Sequence, residues 1–491
     1  MTVQVSQPEA NGRQSVSAAS TSSETTPIPS KKVFPTTPLL WQTGPKLVVM
    51  LCGLMILVWC VLGMPFLVAG VLLSKIVPTL LSLVFPTVYI SKTFHSLVLL
   101  PIARVICKDP EQTHIVGIIL TNLLVVYPTL AYVTLTPFTW DYYQIGRIVL
   151  YYTAIFYYAA SNAYIGLHHA EAHACWSNGG LVKPEWRYLF DRVGEWWFNP
   201  LIGIAPGMPS YTHVLIHHKY GNNLEDPQST LWFDRSSLSD FFLLYCPMMI
   251  VLRHWGAGAV TKLEEAGQYM YAGKMLQGQW RMAVLYGLVC MLNFNFFLFG
   301  FLPIVCIFTA SISSVEWSQH AFFDAEDEQC TPVLATTSVL SPPNQYRNEP
   351  WHIVHHALNT GHYTQNEKQK EITQLEQFVA KKPQKNSKLF LFKPKKEEFV
   401  WMAIFPVLMM KDFNTLAKSF VWTGAGERPA HEELVAYLKK CVQPLDLKTY
   451  TVDKLYTQQL MGPVHLEGRL AMKLSAQDKE EESGAEAAKF F

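Results

Sequence analysis

Long uncharged apolar runs alternate with polar stretches along this chain, and their lengths set the first expectations. From Leu47 to Pro101 the only formally charged side chains are Lys75 and Lys92. Lys75 stands between two apolar stretches flanked by Gly70 and Pro78, which predicts two membrane passes with a turn. His114 to Trp140 and Ile148 to Ile165 contain no Asp, Glu, Lys or Arg, and each is near the roughly 20 residues that cross a hydrocarbon core. A further uncharged block, Met282 to Val315, is interrupted by Gly300 and Pro303. One helix of that length would run about 51 Å against a core of about 30 Å, so a hairpin of two passes is expected. Asp240 to Leu252 and Phe399 to Met410 are apolar but short, and are expected in the interface or against other helices.

These runs predict an all-α, polytopic membrane protein with four N-terminal passes, a later helical hairpin and a cytoplasmic histidine-rich helical cap. The link Asp141 to Gly146 carries no Lys and faces outward, whereas the loop with Arg104 and Lys108 faces the cytoplasm by the positive-inside tendency. Residues 1–45 are rich in Ser, Thr and Pro and are expected to be disordered. Residues 46–370 form the membrane domain, 371–474 a cytoplasmic or interfacial region, and 475–491 a disordered tail.

Composition sharpens this picture. Of 491 residues, 50% are hydrophobic and 16% charged, against about a quarter charged in soluble domains. A mean hydropathy of only +0.13 means that the spans are diluted by sizeable water-facing regions. The formal charge of +1 gives no electrostatic reason to bind nucleic acid. Nine cysteines occur with no C-x-x-C pair, so they are read as buried apolar groups rather than a disulfide frame or a zinc site. Seven lysines between Lys381 and Lys396 interleave with Leu389, Phe390, Leu391 and Phe392, a pattern open to anionic lipid headgroups or to a solvated loop. Trp196, Trp197, Trp232, Trp317 and Trp351 are expected along the membrane interface, with Trp317 and Trp351 beside the pocket.

The chemistry lies in the histidines. Ten of the 16 fall in four clusters, each just outside an apolar block on the side assigned as cytoplasmic. The first is His168-His169-Ala170-Glu171-Ala172-His173, where His169 and His173 share a helix face. The second is His213-Val-Leu-Ile-His217-His218, followed by Glu225-Asp226-Pro227. The third is Glu316-Trp317-Ser318-Gln319-His320, and the fourth is His352-Ile353-Val354-His355-His356, preceded by Asn348 and Glu349. Imidazoles at these spacings converge on metal, and they are too many for one ion, so two metals are implied. Glu316 and Glu349 are the foremost carboxylates for orienting imidazoles or binding directly, with Glu171, Glu225 and Asp226 beside the clusters as further candidates. The isolated His95, His114, His254, His431 and His465 are read as structural, and His168 and His362 as neighbours of the boxes.

The H-x3-H, H-x3-HH and H-x2-HH boxes resemble those of the integral-membrane fatty acid desaturase and hydroxylase superfamily, over roughly Leu47 to His362. The His320 that follows Glu316 is similar to the alkane monooxygenase branch. That resemblance implies a non-haem centre of two iron ions, with O2 as co-substrate. Its nine matching ligands are His169, His173, His213, His217, His218, His320, His352, His355 and His356. It also implies an O2-dependent oxidoreductase acting on an unactivated C–H bond of a lipid. A fatty acyl desaturase is the first reading and a fatty acid or alkane hydroxylase the alternative. No H-P-G-G haem signature is present, so electrons are expected from a separate cytochrome b5, ferredoxin or rubredoxin type of donor. In a eukaryote the expected location is the endoplasmic reticulum membrane. A membrane metallohydrolase predicts H-E-x-x-H, but here the Glu of His169-Ala170-Glu171-Ala172-His173 comes one place late. A metal-binding or transport protein predicts histidines at mid-membrane rather than past helix ends.

The topology has a direct check. Reporter tags at residue 1 and within residues 375–396 are both expected on the cytoplasmic side in a protease-protection assay, and opposite sides would break the four-pass count.

Overall fold

In a computed structural model of the chain, residues 46–84, 92–111, 113–160, 181–190, 193–327, 330, 335–339, 389–393, 400–423 and 427–446 are described. They are mostly helical. The principal helices are α1 (Lys46–Val84), α2 (Ile115–Leu135), α3 (Tyr142–Ala160), α4 (Pro209–His217), α5 (Asp240–Leu252), α6 (Ala257–Glu265), α7 (Tyr269–Leu292) and α8 (Phe294–Gln319). Three short helices follow, α9 (Val400–Met409), α10 (Phe413–Ser419) and α11 (His431–Cys441). Among the described residues, Lys46–Leu73 of α1, α2 and α8 are long and apolar enough to cross a membrane. The pair α5 and α6, bent by 56°, makes a fourth span if it is read as one broken helix. The expected disorder of residues 1–45 and 475–491 lies outside the described residues.

Where two passes and a turn at Lys75 were expected, α1 runs unbroken for 39 residues. Its glycines serve close packing instead. A Cβ on Gly53 would lie 2.6 Å from Leu243 Cα of α5; on Gly63 it would lie 2.7 Å from Ile307 Cδ1 of α8 and 2.9 Å from Tyr152 Oη of α3. On Gly70 it would lie 3.1 Å from Thr153 N of α3. Small residues let helix backbones approach where no water drives association, so α1 is notched along its length to seat α3, α5 and α8. The expected link at Asp141 to Gly146 is likewise helical, because Asp141 Oδ1 accepts the Gln144 N–H at 3.0 Å and starts α3. Of the expected N-terminal passes, α1 and α2 have the required length and apolarity, while α3 carries Arg147 near its start.

Where a hairpin of two passes was expected, the helices α7 and α8 meet at a break at Asn293 rather than at Gly300 or Pro303, and of the two only α8 is long and apolar enough to cross a membrane. Asn293 Oδ1 accepts the Phe296 N–H at 3.0 Å and caps α8. Its Nδ2 donates to Thr136 O at 2.9 Å and Val133 O at 3.3 Å, tying the hairpin turn to the end of α2. Gly300 and Pro303 lie inside α8, where a π-helical stretch, Phe297–Phe301, precedes the proline. The wider turn accommodates the missing N–H, and a Cβ on Gly300 would lie 2.5 Å from the Phe296 ring.

One apolar cluster gathers α1, α2, α3 and the first half of α8 around Ile56, Tyr151, Tyr152, Phe296 and Phe301. A second joins Leu231, Phe233, Tyr245 and Trp317 to Phe390, Phe392 and Leu438 from the C-terminal part of the chain. Two sequence expectations are corrected here. Leu389, Phe390, Leu391 and Phe392 do not lie on lipid headgroups or in a solvated loop; all four are buried, Phe390 and Phe392 in the second cluster. Leu391–Phe392 (β2) is the middle strand of a three-stranded sheet, parallel to Ser338–Val339 (β1) and antiparallel to Phe420–Val421 (β3). Nor does Trp317 lie along the membrane interface. It is fully buried, packed on Tyr245, Phe241 and Phe233. Trp196 is half-buried, with the Arg281 guanidinium 4.6 Å from its ring centroid. The Phe399 to Met410 run does pack on another helix as expected: α9 lies against α8, burying Ile404 and Leu408.

The glycine notches give a contrast that unfolding in detergent can read. Gly53→Val should destabilise by about 1–3 kcal/mol through overpacking against α5. Gly146→Ala, in α3 where a Cβ meets nothing within 4 Å, should be neutral or stabilising by up to about 1 kcal/mol.

Candidate metal centre

The second histidine cluster sits on α4, and α4 is π-helical throughout, with every residue buried. Its hydrogen bonds run between residues five apart, the His218 N–H reaching His213 O. That winding places His218 over His213, a pairing that ordinary α-helical spacing separates by more than a quarter turn. The two Nε2 atoms stand 3.2 Å apart. His217 occupies the neighbouring position, its ring centroid 5.5 Å from that of His213. The helix then closes through the Gly221 N–H on His217 O and turns out through two left-handed residues, Gly221 (φ 54°) and Asn222 (φ 66°).

The third cluster ends α8. As that helix leaves the apolar cluster it carries Glu316 and then His320, whose main-chain N–H bonds Glu316 O at 3.1 Å. His320 Nε2 lies 3.1 Å from His217 Nε2. One ligand atom from each of His217, Glu316 and His320 falls within 4.8 Å of the other two, and all three residues are buried.

What holds these rings is a set of buried hydrogen bonds from the loop after α4. Asp226 Oδ2 lies 2.6 Å from His217 Nδ1 and accepts the Asn222 N–H at 3.0 Å. Asp226 Oδ1 accepts the Gln228 N–H at 3.0 Å. A carboxylate on Nδ1 keeps the proton there and leaves Nε2 with its lone pair toward His320, the form a metal ligand requires. On the far side of α4, Ser210 Oγ donates to Glu195 Oε2 at 3.0 Å, both residues being buried.

Behind His320 lies Arg235, 1% exposed. Its Nε donates to Ala321 O at 3.0 Å, its Nη1 to Phe233 O at 3.0 Å and its Nη2 to Cys441 O at 2.8 Å. Its own N–H reaches Val442 O at 2.8 Å, and its carbonyl accepts the Trp317 Nε1–H at 2.8 Å. Burial pushes the guanidinium down to about 10, so the group stays charged at neutral pH. One side chain therefore fastens the residue after His320, the loop after α4 and the end of α11.

With this geometry in place, a scan against family models finds a match over residues 146–376 to the model described as fatty acid desaturase. The chain carries a fatty acid desaturase domain. Neither the curated proteins nor the solved structures contain a match.

Within the desaturase domain, the structure brings together His213, His217, His218, Glu316 and His320 of the residues singled out by sequence. His169, His173, His352, His355, His356 and Glu349 lie outside the described residues, as does Glu171. Among the carboxylates after α4, Asp226 rather than Glu225 meets an imidazole; Glu225 is only half-buried. Asn222, Thr230, Arg235, Glu195 and Ser210 carry no motif in the sequence, because each acts through a partner distant in the chain or through main-chain atoms. His254, read as isolated, is fully buried just beyond α5, its carbonyl accepting the Ala205 N–H at 2.7 Å.

The residues of the desaturase domain fit a metal centre. Two imidazole pairs face each other through Nε2 in a dry setting, and a carboxylate lies beside one of them. Such donors suit iron, zinc or copper. His217, Glu316 and His320 would hold one ion, and His213 and His218 present a further pair.

Arg235→Met should lower stability by more than about 2 kcal/mol in a detergent melt, because several buried carbonyls lose their donor. Arg235→Lys should not restore it, since an ammonium cannot reproduce the planar fork.

Proposed function

We propose that this protein is a membrane-bound, O2-dependent lipid oxidoreductase, and that its reaction is the desaturation of a fatty acyl chain. The observation that carries the reading is the buried convergence of His217, Glu316 and His320 inside a desaturase domain. The full ligand set is His169, His173, His213, His217, His218, His320, His352, His355 and His356, binding two iron ions, with Glu316 and Glu349 as the acting carboxylates. When bound, the iron pair supplies O2 activation and the oxidising power needed to remove hydrogen from an unactivated C–H bond. Two electrons come from a separate carrier of the cytochrome b5, ferredoxin or rubredoxin type.

The chain's own residues have definable parts in this reaction. Asp226 holds the His217 proton on Nδ1, fixing the ring while its other nitrogen faces inward. Burial of the His217, Glu316 and His320 group excludes bulk water and so protects an oxidising centre from wasteful proton and solvent reactions. Apolar α8 leads from the membrane to Glu316, so a lipid chain can reach the centre without leaving apolar surroundings. Removing two hydrogens from adjacent carbons consumes O2, two electrons and two protons and yields a double bond and two waters. The histidines are assigned to the cytoplasmic side together with the loop carrying Arg104 and Lys108, whose Cys107 pairs with Val182 between the first two boxes.

A second reading, hydroxylation, is favoured by one feature. His320, one turn past Glu316 and paired with His217, is the element shared with the alkane monooxygenase branch. There one oxygen atom enters the C–H bond as an alcohol and the other leaves as water.

The test is a mass-spectrometric lipid and hydrocarbon profile of cells expressing the chain beside cells expressing His217→Ala at equal membrane levels. New unsaturated acyl chains dependent on His217 are expected. Hydroxylated or shortened products would move the assignment to the second reading. Indistinguishable profiles in a host with ample iron, reductant and varied lipids would count against both.

A further inference from the structure

The two histidines that meet at 3.1 Å come from segments about a hundred residues apart, and a single asparagine connects their supports. Asn222 is buried at 3% exposure and holds a left-handed conformation, φ 66°, directly after left-handed Gly221. Its main-chain N–H donates to Asp226 Oδ2 at 3.0 Å, the same oxygen that meets His217 Nδ1. Its side chain turns the other way. Asn222 Oδ1 accepts the Thr230 N–H at 2.8 Å, and Nδ2 donates to Thr230 Oγ1 at 3.2 Å. Thr230 Oγ1 in turn donates to the main-chain carbonyl of His320 at 2.6 Å.

Each requirement selects the residue type. The left-handed backbone disfavours side chains other than Asn, Asp or Gly. The contact with Thr230 needs an acceptor and a donor on one planar group, which Asp and Gly lack. Thr230 must accept from Asn222 while donating to His320, which a hydroxyl does and a methyl cannot. The hydrogen bonds therefore run without interruption from the His217 ring, through Asp226, Asn222 and Thr230, to the backbone of His320.

We propose that Asn222 and Thr230 are positioning residues for the metal centre, setting the His217 ring and the His320 backbone in register so that their Nε2 atoms converge on one ion. This rests on the metal-centre reading above. Neither residue touches the ion or the substrate. Their effect is on how well the ligand pair is pre-arranged, and altering supporting groups of this kind typically weakens metal affinity by about ten- to a hundredfold.

The test uses full-length protein purified in detergent, stripped of metal and titrated with Co2+, reading the visible absorption of the bound ion. Asn222→Gly keeps the left-handed turn and the bond to Asp226 and deletes only the amide. Thr230→Val keeps the shape and deletes only the hydroxyl, and Thr230→Ser restores it. Asn222→Gly and Thr230→Val should each weaken Co2+ binding about tenfold or more, Thr230→Ser should bind as the wild type, and the Gly and Val effects should not add in the double variant. A merely structural role would lower the melting temperature of the metal-free protein and leave the Co2+ affinity in place. Should Asn222→Gly fail to fold, Thr230→Val against Thr230→Ser decides alone. Wild-type affinity in these variants while His217→Ala loses the ion, or strictly additive effects, would overturn the proposal. Equal Co2+ binding by wild type and His217→Ala would overturn the metal reading itself, and this proposal with it.

Discussion

Two imidazole nitrogens stand 3.1 Å apart where water does not reach, and one of them, on His217, has its proton claimed on the opposite side of the ring by Asp226. Facing lone pairs in a dry interior are costly unless something positive or a shared proton lies between them. Much of the surrounding structure maintains that arrangement. The π-helical winding of α4 brings His218 edge-on against His213, the Gly221-Asn222 turn brings the chain back to hold Asp226, and α8 delivers Glu316 and His320.

The membrane part of the molecule serves this placement through rigidity. Long apolar helices alone do not fix where α8 ends, because helices in lipid slide without a hydrophobic penalty. The register is set by shape and by a few polar contacts. Notches at Gly53, Gly63 and Gly70 lock α1 against its neighbours, and Asn293 anchors the start of α8 to the carbonyls at the end of α2. With its beginning pinned, α8 carries Glu316 and His320 to a defined position.

Arg235 fastens the water-facing side. A buried guanidinium without a carboxylate is unfavourable unless its N–H groups are occupied, and here main-chain carbonyls from three segments occupy them. The arrangement makes the end of α11 part of the support for the His217, Glu316 and His320 group, although α11 contributes no residue to it. Trp317 reinforces this. Its neighbour Glu316 faces the centre, while its own indole fills the second apolar cluster and bonds the Arg235 carbonyl.

The chain's hydropathy pattern and histidine spacing by themselves determine a helical chain with membrane-length apolar runs and a set of histidines suited to hold metal, because run length and ligand type are local properties. They single out His213, His217, His218, Glu316 and His320, which the structure brings together, and the apolar runs place α1, α2 and α8. They misplace the breaks, since Gly70 and Gly300 act as packing notches and Asn293 as a cap, and a glycine's function depends on what lies opposite it. They likewise assign Leu389 to Phe392 and Trp317 to the surface, although a partner cluster distant in sequence buries them. Only the tertiary structure decides that Asp226 rather than Glu225 holds His217, that α4 winds as a π-helix, and that Asn222, Thr230 and Arg235 belong to the site at all. Those three act through main-chain carbonyls and N–H groups, which every residue possesses, so no residue pattern in one dimension can mark them.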